Sequence, residues 1–139
     1  MSDPKEQMIS ALRDSVVPVL RELKFSGSFP HFRRIQKKQV DLLTFQFNRH
    51  GGSFVVEISS CGVEGFTTAW GEKIPPNKVS AHDLHPNKRI RLGSRAAGTT
   101  ESWFFYEPFQ PEIYQAVAAR LLSLIRSEAE DFWRAKPIS

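Results

Sequence analysis

The pattern that organises the chain is a pair of apolar runs that alternate with polar or small residues within residues 40–61. The residues that share one face by this alternation are Leu43, Phe45, Phe47, Phe54, Val56 and Ile58. A period of two residues is typical of strands with one buried face. Between the runs, residues 48–52 supply asparagine and two glycines, which tolerate the positive φ values of a tight turn. The pattern therefore predicts a β-hairpin.

Two polar residues fall on the opposite face of this hairpin, Gln46 on its first strand and Glu57 on its second. The simplest interpretation is that both are exposed to solvent, because a half-buried antiparallel sheet has one polar face. The alternative interpretation is that this face lines a cleft.

Helical spacing of apolar residues marks both ends of the chain. Asp3 and Pro4 form a typical helix start, and the apolar stripe that follows should end near Lys24, with a kink at Pro18. Its members are Met8, Ile9, Leu12, Val16, Leu20 and Leu23. A second helix should open at Pro111 and run to about Trp133. Its apolar stripe comprises Ile113, Val117, Leu121, Leu124, Ala129 and Phe132.

Further strands are predicted on both sides of the hairpin. His31–Ile35 reads as a short strand before it, and residues 66–70 as a short strand after it. Residues 88–92 alternate cations with apolar side chains, which is typical of an edge strand. Glycine and proline recur through the rest of residues 62–100, which predicts a long loop region. The aromatic run of residues 103–106 should anchor the connection that leads into the C-terminal helix.

These elements predict an α+β fold in which an antiparallel sheet of four to five strands carries the N- and C-terminal helices on one face. Each helix has a single apolar stripe, which suits packing from one side. The length of 139 residues predicts one domain that spans residues 1–139. The opposite face of the sheet, covered by residues 62–100, is then the place where a site is expected.

Composition narrows the functional classes. The net charge is +4 and the aromatic share is 12%. No apolar run reaches the roughly 18 residues of a membrane span, and the polar N-terminus is unlike a signal peptide. The single cysteine, Cys61, has no internal disulfide partner. We therefore expect a cytoplasmic protein with no membrane contact, and no cofactor is indicated.

Several short motifs occur in a characteristic order. A stretch at residues 20–25 closes the first helix, Phe32-Arg33 follows, and Gln46 lies on the hairpin. Residues 91–93 read Arg-Leu-Gly, and Trp103-Phe104 precedes the closing helix. This order resembles a small family of bacterial domains of unknown function, although lysine stands at position 24 where the resemblance implies glycine. The resemblance implies a fold and no reaction.

Candidate catalytic residues are few. His82, Asp83 and His85 lie within four residues, a spacing at which two imidazoles and a carboxylate could share a metal ion. A metal-dependent hydrolase using this loop is therefore an alternative hypothesis, against the simpler interpretation of a polar loop. Cys61 would need a base to act as a nucleophile, and the sequence does not select one among His31, His50, His82 and His85. It is expected to be buried and inert. No phosphate-binding loop or nucleophile elbow is present, so the sequence favours a protein that is not an enzyme.

Basic residues form two clusters, one at residues 33–38 and one at residues 88–95. Arg33 and Arg91 are the candidate anion-binding residues, with Gln46 to orient the ligand and Trp103 to form a wall. The leading hypothesis is a non-enzymatic binding module for an acidic protein partner or a small anion. By analogy with other small bacterial domains, such a module could neutralise a toxin. Nucleic acid is a third, less favoured ligand.

Overall fold

The structure, a computed structural model, describes residues 3–94 and 102–135. The helices are α1 (Pro4–Ser15), α2 (Val17–Glu22), α3 (Pro111–Leu124) and α4 (Glu130–Ala135). The strands are β1 (Ser26–Ser28), β2 (His31–Ile35), β3 (Val40–Phe47), β4 (Ser53–Cys61), β5 (Phe66–Thr67), β6 (Lys73–Ile74), β7 (Ile90–Arg91) and β8 (Phe104–Phe105).

The first helical segment begins and breaks where the sequence predicts. The Asp3 carboxylate accepts a hydrogen bond from the Glu6 N–H at 2.8 Å, and Pro4 occupies the first turn. The helix is interrupted at Val16, two residues before Pro18, because proline lacks an N–H and crowds the carbonyl one turn earlier. The segment closes at Lys24, whose φ of 77° is left-handed.

The main sheet is antiparallel throughout and has the strand order β1-β2-β3-β4-β7, with β8 pairing beside the start of β4. The predicted hairpin is confirmed as β3 and β4. Within residues 3–94 and 102–135 the sheet has six strands rather than the predicted four to five. The difference arises because β1 and β8 span only three and two residues and are too short to show alternation. Residues 66–70 form only the two-residue strand β5, which pairs with β6 in a separate small sheet.

One face of the main sheet carries the terminal helices, which confirms the predicted packing. The residues buried between sheet and helices include Leu12, Leu20, Phe32, Leu43, Phe45, Phe54, Val56, Ile58, Leu121, Ile125 and Trp133. The residues of β3 and β4 buried here are those that the alternation places together on one apolar face, because successive strand residues point to opposite faces.

A single arginine fastens the end of the chain to the sheet. Arg34 Nε donates to Asp41 Oδ2 at 2.8 Å, and its two terminal nitrogens donate to the Glu130 carboxylate at 3.1 and 2.6 Å. Its guanidinium also lies over the rings of Phe25 and Trp133. Arg34 therefore connects β2, β3, α4 and the turn after α2. We call this group the Arg34 clamp.

The predicted C-terminal helix contains a π-helical segment, Ile125–Ala129, between α3 and α4. Within it, the buried Glu128 carboxylate accepts a hydrogen bond from the Gly93 N–H at 2.5 Å. The segment thus holds the turn that follows β7. None of the helices in the described residues is long and apolar enough to cross a membrane.

The opposite face of the sheet is covered by residues 79–84, which include the short 3-10 helix Ala81–Asp83. We call residues 79–84 the cover segment. Its apolar side chains pack on the sheet in a second buried cluster, which comprises Val40, Leu42, Cys61, Val79, Ala81 and Leu84. The cover segment leaves the central part of this face to polar side chains, and these form the site described next.

Candidate functional site

Glu57 lies at the centre of the covered face. In the sheet register it stands between Thr44 of β3 and Arg91 of β7. Its relative exposure is only 8%, so the interpretation of Glu57 as a solvent-exposed strand residue is wrong. The cover segment and the turn after it bury the residue. Gln46, two residues beyond Thr44 on β3, is exposed as the simplest interpretation expects.

The two oxygens of the Glu57 carboxylate have different surroundings. Oε1 accepts hydrogen bonds from His82 Nε2 at 3.0 Å and from Arg89 Nη1 at 2.9 Å. Oε2 lies 3.9 Å from Arg91 Nε, which is beyond hydrogen-bond distance. The hydrogen bond from His82 lowers the pKa of Glu57, burial of the carboxyl opposes this, and Arg89 lowers the pKa further. Glu57 is therefore an ionised, buried carboxylate at neutral pH.

A second imidazole adjoins His82. The rings of His31 and His82 meet edge to face with their centroids 5.8 Å apart, and His31 Nδ1 lies 3.1 Å from the Thr44 hydroxyl. Burial lowers the pKa of His31, and the neighbouring His82 and Arg33 lower it further, while Asp83 acts in the opposite direction. His31 is accordingly neutral in the folded protein at neutral pH.

The cover segment is held by hydrogen bonds to its backbone. Arg33 Nε donates to the Val79 carbonyl at 2.8 Å, and Arg89 Nε donates to the Leu84 carbonyl at 3.1 Å. Asp83 Oδ2 accepts from the Ser80 N–H at 2.8 Å, which closes the 3-10 turn. Arg33 thus holds the cover segment through its Nε.

The three metal-ligand candidates do not converge. His82 pairs with Glu57, Asp83 pairs with Ser80, and His85 Nδ1 accepts from the Asn87 N–H at 3.2 Å. Within the described residues, no group of three or more histidine, cysteine or acidic side chains is arranged to hold a metal ion. The geometry of these three residues therefore provides no common metal-binding site for the hydrolase hypothesis.

The cysteine is also unsuited to nucleophilic chemistry. Cys61 is buried, and this burial, followed by the negative charges of Glu64 and Asp83, raises the pKa of its thiol to about 11. A thiol with this pKa is protonated at neutral pH and is a poor nucleophile. The expectation that Cys61 is buried is confirmed.

An open cleft of about 440 Å³ lies beside β7, next to the Glu57 carboxylate. Its lining comprises Glu57, Pro86, Asn87, Arg89, Ile90, Arg91 and Ser94. The Arg91 guanidinium lies over the Trp103 ring, 5.2 Å from the ring centroid. An arginine held on an aromatic face keeps its in-plane N–H donors directed outward. We call this space the Arg91 cleft.

The structure brings together two of the four predicted ligand-binding residues, Arg91 and Trp103. Arg33 lies on the same face of the sheet, but β2 is three strand spacings from β7, or roughly 14 Å. Neither Arg33 nor Gln46 lines the Arg91 cleft. The roles of Glu57 and Arg89 in this site were not predicted from the sequence. The signal that pointed to Glu57 was a lone carboxylate between two apolar residues, Val56 and Ile58, in the middle of β4.

The two basic clusters do not form one surface. Arg33 and Arg34 are consecutive strand residues, so their side chains point to opposite faces of the sheet. Arg34 belongs to the Arg34 clamp, where two carboxylates neutralise it. Lys37 and Lys38 border a different cleft of about 450 Å³, beside this clamp.

Comparison with known proteins places the chain in a family. The family described as a domain of unknown function (DUF4304) matches residues 16–135, which is most of the chain. The chain belongs to the DUF4304 family. This confirms the resemblance drawn from the short motifs of the sequence. No curated protein and no solved structure matches this DUF4304 chain.

Proposed function

We propose that this DUF4304 domain is a non-enzymatic binding module that takes an anionic group in the Arg91 cleft. The anionic group is a carboxylate or phosphate, carried by a small molecule or by an acidic protein partner. The observation that supports this proposal most is the state of Arg91. Its guanidinium lies over Trp103 and borders the cleft, and among the described residues its one ionic contact is the 3.9 Å approach to Glu57.

The other described arginines of the two clusters already have partners, and Arg95 lies outside the described residues. Arg89 donates to Glu57 and to the Leu84 carbonyl, and Arg33 donates to the Val79 carbonyl. Arg34 is held by two carboxylates. Arg91 has no hydrogen bond to any other described residue, so its planar fork can pair with an incoming carboxylate or phosphate.

The size of the cleft sets the scale of the ligand. A volume of about 440 Å³ falls in the lower part of the roughly 300–1,000 Å³ that is typical of ligand pockets. It suits a small molecule or a single acidic side chain, rather than a groove that follows a nucleic acid backbone.

Isothermal titration calorimetry tests this proposal. The wild-type protein is titrated with glutarate, with inorganic phosphate and with a short glutamate-rich peptide. Binding of at least one of these that is lost in Arg91→Gln is expected, because the substitution removes the charged fork. Arg134→Gln is the matched control, since Arg134 is an arginine of the same protein whose side chain is 75% exposed. Glutarate and the peptide separate a small-molecule source of the carboxylate from a protein source.

Two results would contradict the proposal. One is that none of the three anions binds at low ionic strength, where screening is weakest. The other is that Arg91→Gln binds them with the affinity of Arg134→Gln. If duplex DNA binds instead, with an affinity that falls steeply with salt and does not depend on Arg91, the function is nucleic-acid binding at another surface.

A further inference from the structure

We infer that the ligand of the Arg91 cleft is a zwitterion, a small molecule that carries a protonated amine next to its anionic group, as a free α-amino acid does. This inference rests on the proposed function and names the class of ligand for the same site. It is carried by the position of the Glu57 carboxylate beside the Arg91 guanidinium.

The first step is the unequal use of the two Glu57 oxygens. Two donors, His82 Nε2 and Arg89 Nη1, saturate Oε1. In the described part of the chain, Oε2 has no hydrogen-bond donor, and its nearest cation is Arg91 Nε at 3.9 Å. A carboxylate oxygen has room for further hydrogen bonds. Since Glu57 lines the cleft, Oε2 is an acceptor available to whatever enters.

The second step is electrostatic. Arg89 pairs with Glu57 through Oε1 at 2.9 Å and offsets part of its charge, so the negative charge that faces the cleft is concentrated at Oε2. An anion that pairs with Arg91 comes close to Oε2 and is repelled by it in this partly buried site. A ligand with a protonated amine next to its anion removes this repulsion, because the amine can donate to Oε2 while the anion pairs with Arg91. Glu57 therefore lowers the affinity for simple anions relative to zwitterions. Binding sites commonly obtain specificity in this way, by disfavouring the wrong ligand.

The third step concerns the rest of the lining. Pro86 and Ile90 give the cleft an apolar part, and Asn87 and Ser94 give it neutral polar groups. A small ligand with one charged end and a short apolar substituent matches this combination. A free amino acid with a small apolar side chain meets these requirements and fits within about 440 Å³.

The test compares ligands that differ only in the amine. The wild-type protein is titrated by calorimetry with L-alanine and with propionate, its analogue without the amino group. Because a charge-assisted hydrogen bond adds affinity, we expect L-alanine to bind about tenfold or more tightly than propionate. Betaine, which keeps a positive nitrogen but has no N–H, should lose most of this advantage, since it has nothing to donate to Oε2.

The variant Glu57→Gln removes the negative charge at nearly constant shape. It should make the affinities for L-alanine and propionate equal, and circular dichroism verifies that it remains folded. Should the variant not fold, the comparison of alanine, propionate and betaine on wild-type protein still decides the question. Glu72→Gln is the matched control, because it removes the same charge at an exposed glutamate that does not line the cleft.

The outcomes separate this inference from the proposed function. If propionate or glutarate binds in an Arg91-dependent way as tightly as L-alanine, the zwitterion inference is overturned and anion binding stands. If neither L-alanine nor any simple anion binds, both fail together. An advantage of L-alanine that persists in Glu57→Gln also overturns the inference, because the amine would then be recognised elsewhere.

Discussion

Replacing Arg34 with methionine should be among the most destabilising single changes in the protein. The Arg34 side chain is 13% exposed and its partner Asp41 is fully buried, so the clamp is an internal ion group rather than a surface pair. Methionine keeps a flexible apolar stem and removes the charge. It leaves the carboxylates of Asp41 and Glu130 without their shared cation.

The magnitude follows from this stranded charge. Removal of one partner from a buried ion pair costs about 3–5 kcal/mol, chiefly because the remaining charge stays buried without its counter-ion. Asp41 keeps the amide donors of Gln36 and Gln39, but these neutral groups do not replace the lost positive charge. The lost contacts of the guanidinium with Phe25 and Trp133 act in the same direction. We therefore expect the free energy of unfolding to fall by about 3–5 kcal/mol in Arg34→Met, a large part of the roughly 5–15 kcal/mol of a typical domain.

Urea denaturation followed by circular dichroism measures this loss. Arg134→Met is the matched control, because Arg134 forms an exposed pair with Asp131 at 3.4 Å and should cost less than about 0.5 kcal/mol. Adding Glu130→Gln to Arg34→Met removes one stranded carboxylate and should recover part of the stability. A loss below about 1 kcal/mol in Arg34→Met, or one equal to that of the control, would refute the reasoning.

Three further predictions concern single positions. Lys24→Gly should raise the free energy of unfolding by about 0.5–1 kcal/mol, because Lys24 has a left-handed φ of 77° that glycine adopts without strain. Urea denaturation measures this gain, and the control variant Lys24→Ala should show none. Cys61 should react with a thiol reagent such as DTNB at neutral pH only as fast as the protein unfolds, since its thiol is buried and protonated; rapid labelling of native protein would contradict this. The lowered pKa of His31 means that the unfolded chain takes up a proton first as the pH falls below about 6.5. Stability should therefore drop between pH 8 and 5.5, above the range in which Glu57 titrates, and His31→Gln should show a smaller drop in the urea midpoint.

The sequence predicts those parts of the fold that depend on local periodicity. The β3–β4 hairpin follows from strict alternation on both sides of a glycine turn, and the one-sided helices follow from their single apolar stripes. The π-helical segment Ile125–Ala129 was not foreseen, because its composition is that of an ordinary amphipathic helix. Short strands such as β8 also give no periodic signal.

The site is harder to predict, because it depends on partners far apart in the chain. The burial of Glu57 is set by His82 and Arg89, which lie 25 and 32 residues further along. Arg34 meets Glu130 across 96 residues. Nothing local distinguishes Arg34, which two carboxylates bind, from Arg91, which has no hydrogen bond to another described residue. Only the packing of the cover segment and the C-terminal helix makes that difference.

The most direct test of the central claim, that Arg91 holds an anion in the cleft, is an NMR titration of the arginine Nε–H signals of ¹⁵N-labelled protein with glutarate and L-alanine at low salt. Our account predicts saturable shifts of the Arg91 Nε–H and of the Trp103 indole N–H beneath it, with the Arg34 signal unchanged because carboxylates already hold it. An Arg91 signal that does not move, or that moves no more than the signal of the exposed Arg134, would contradict the account.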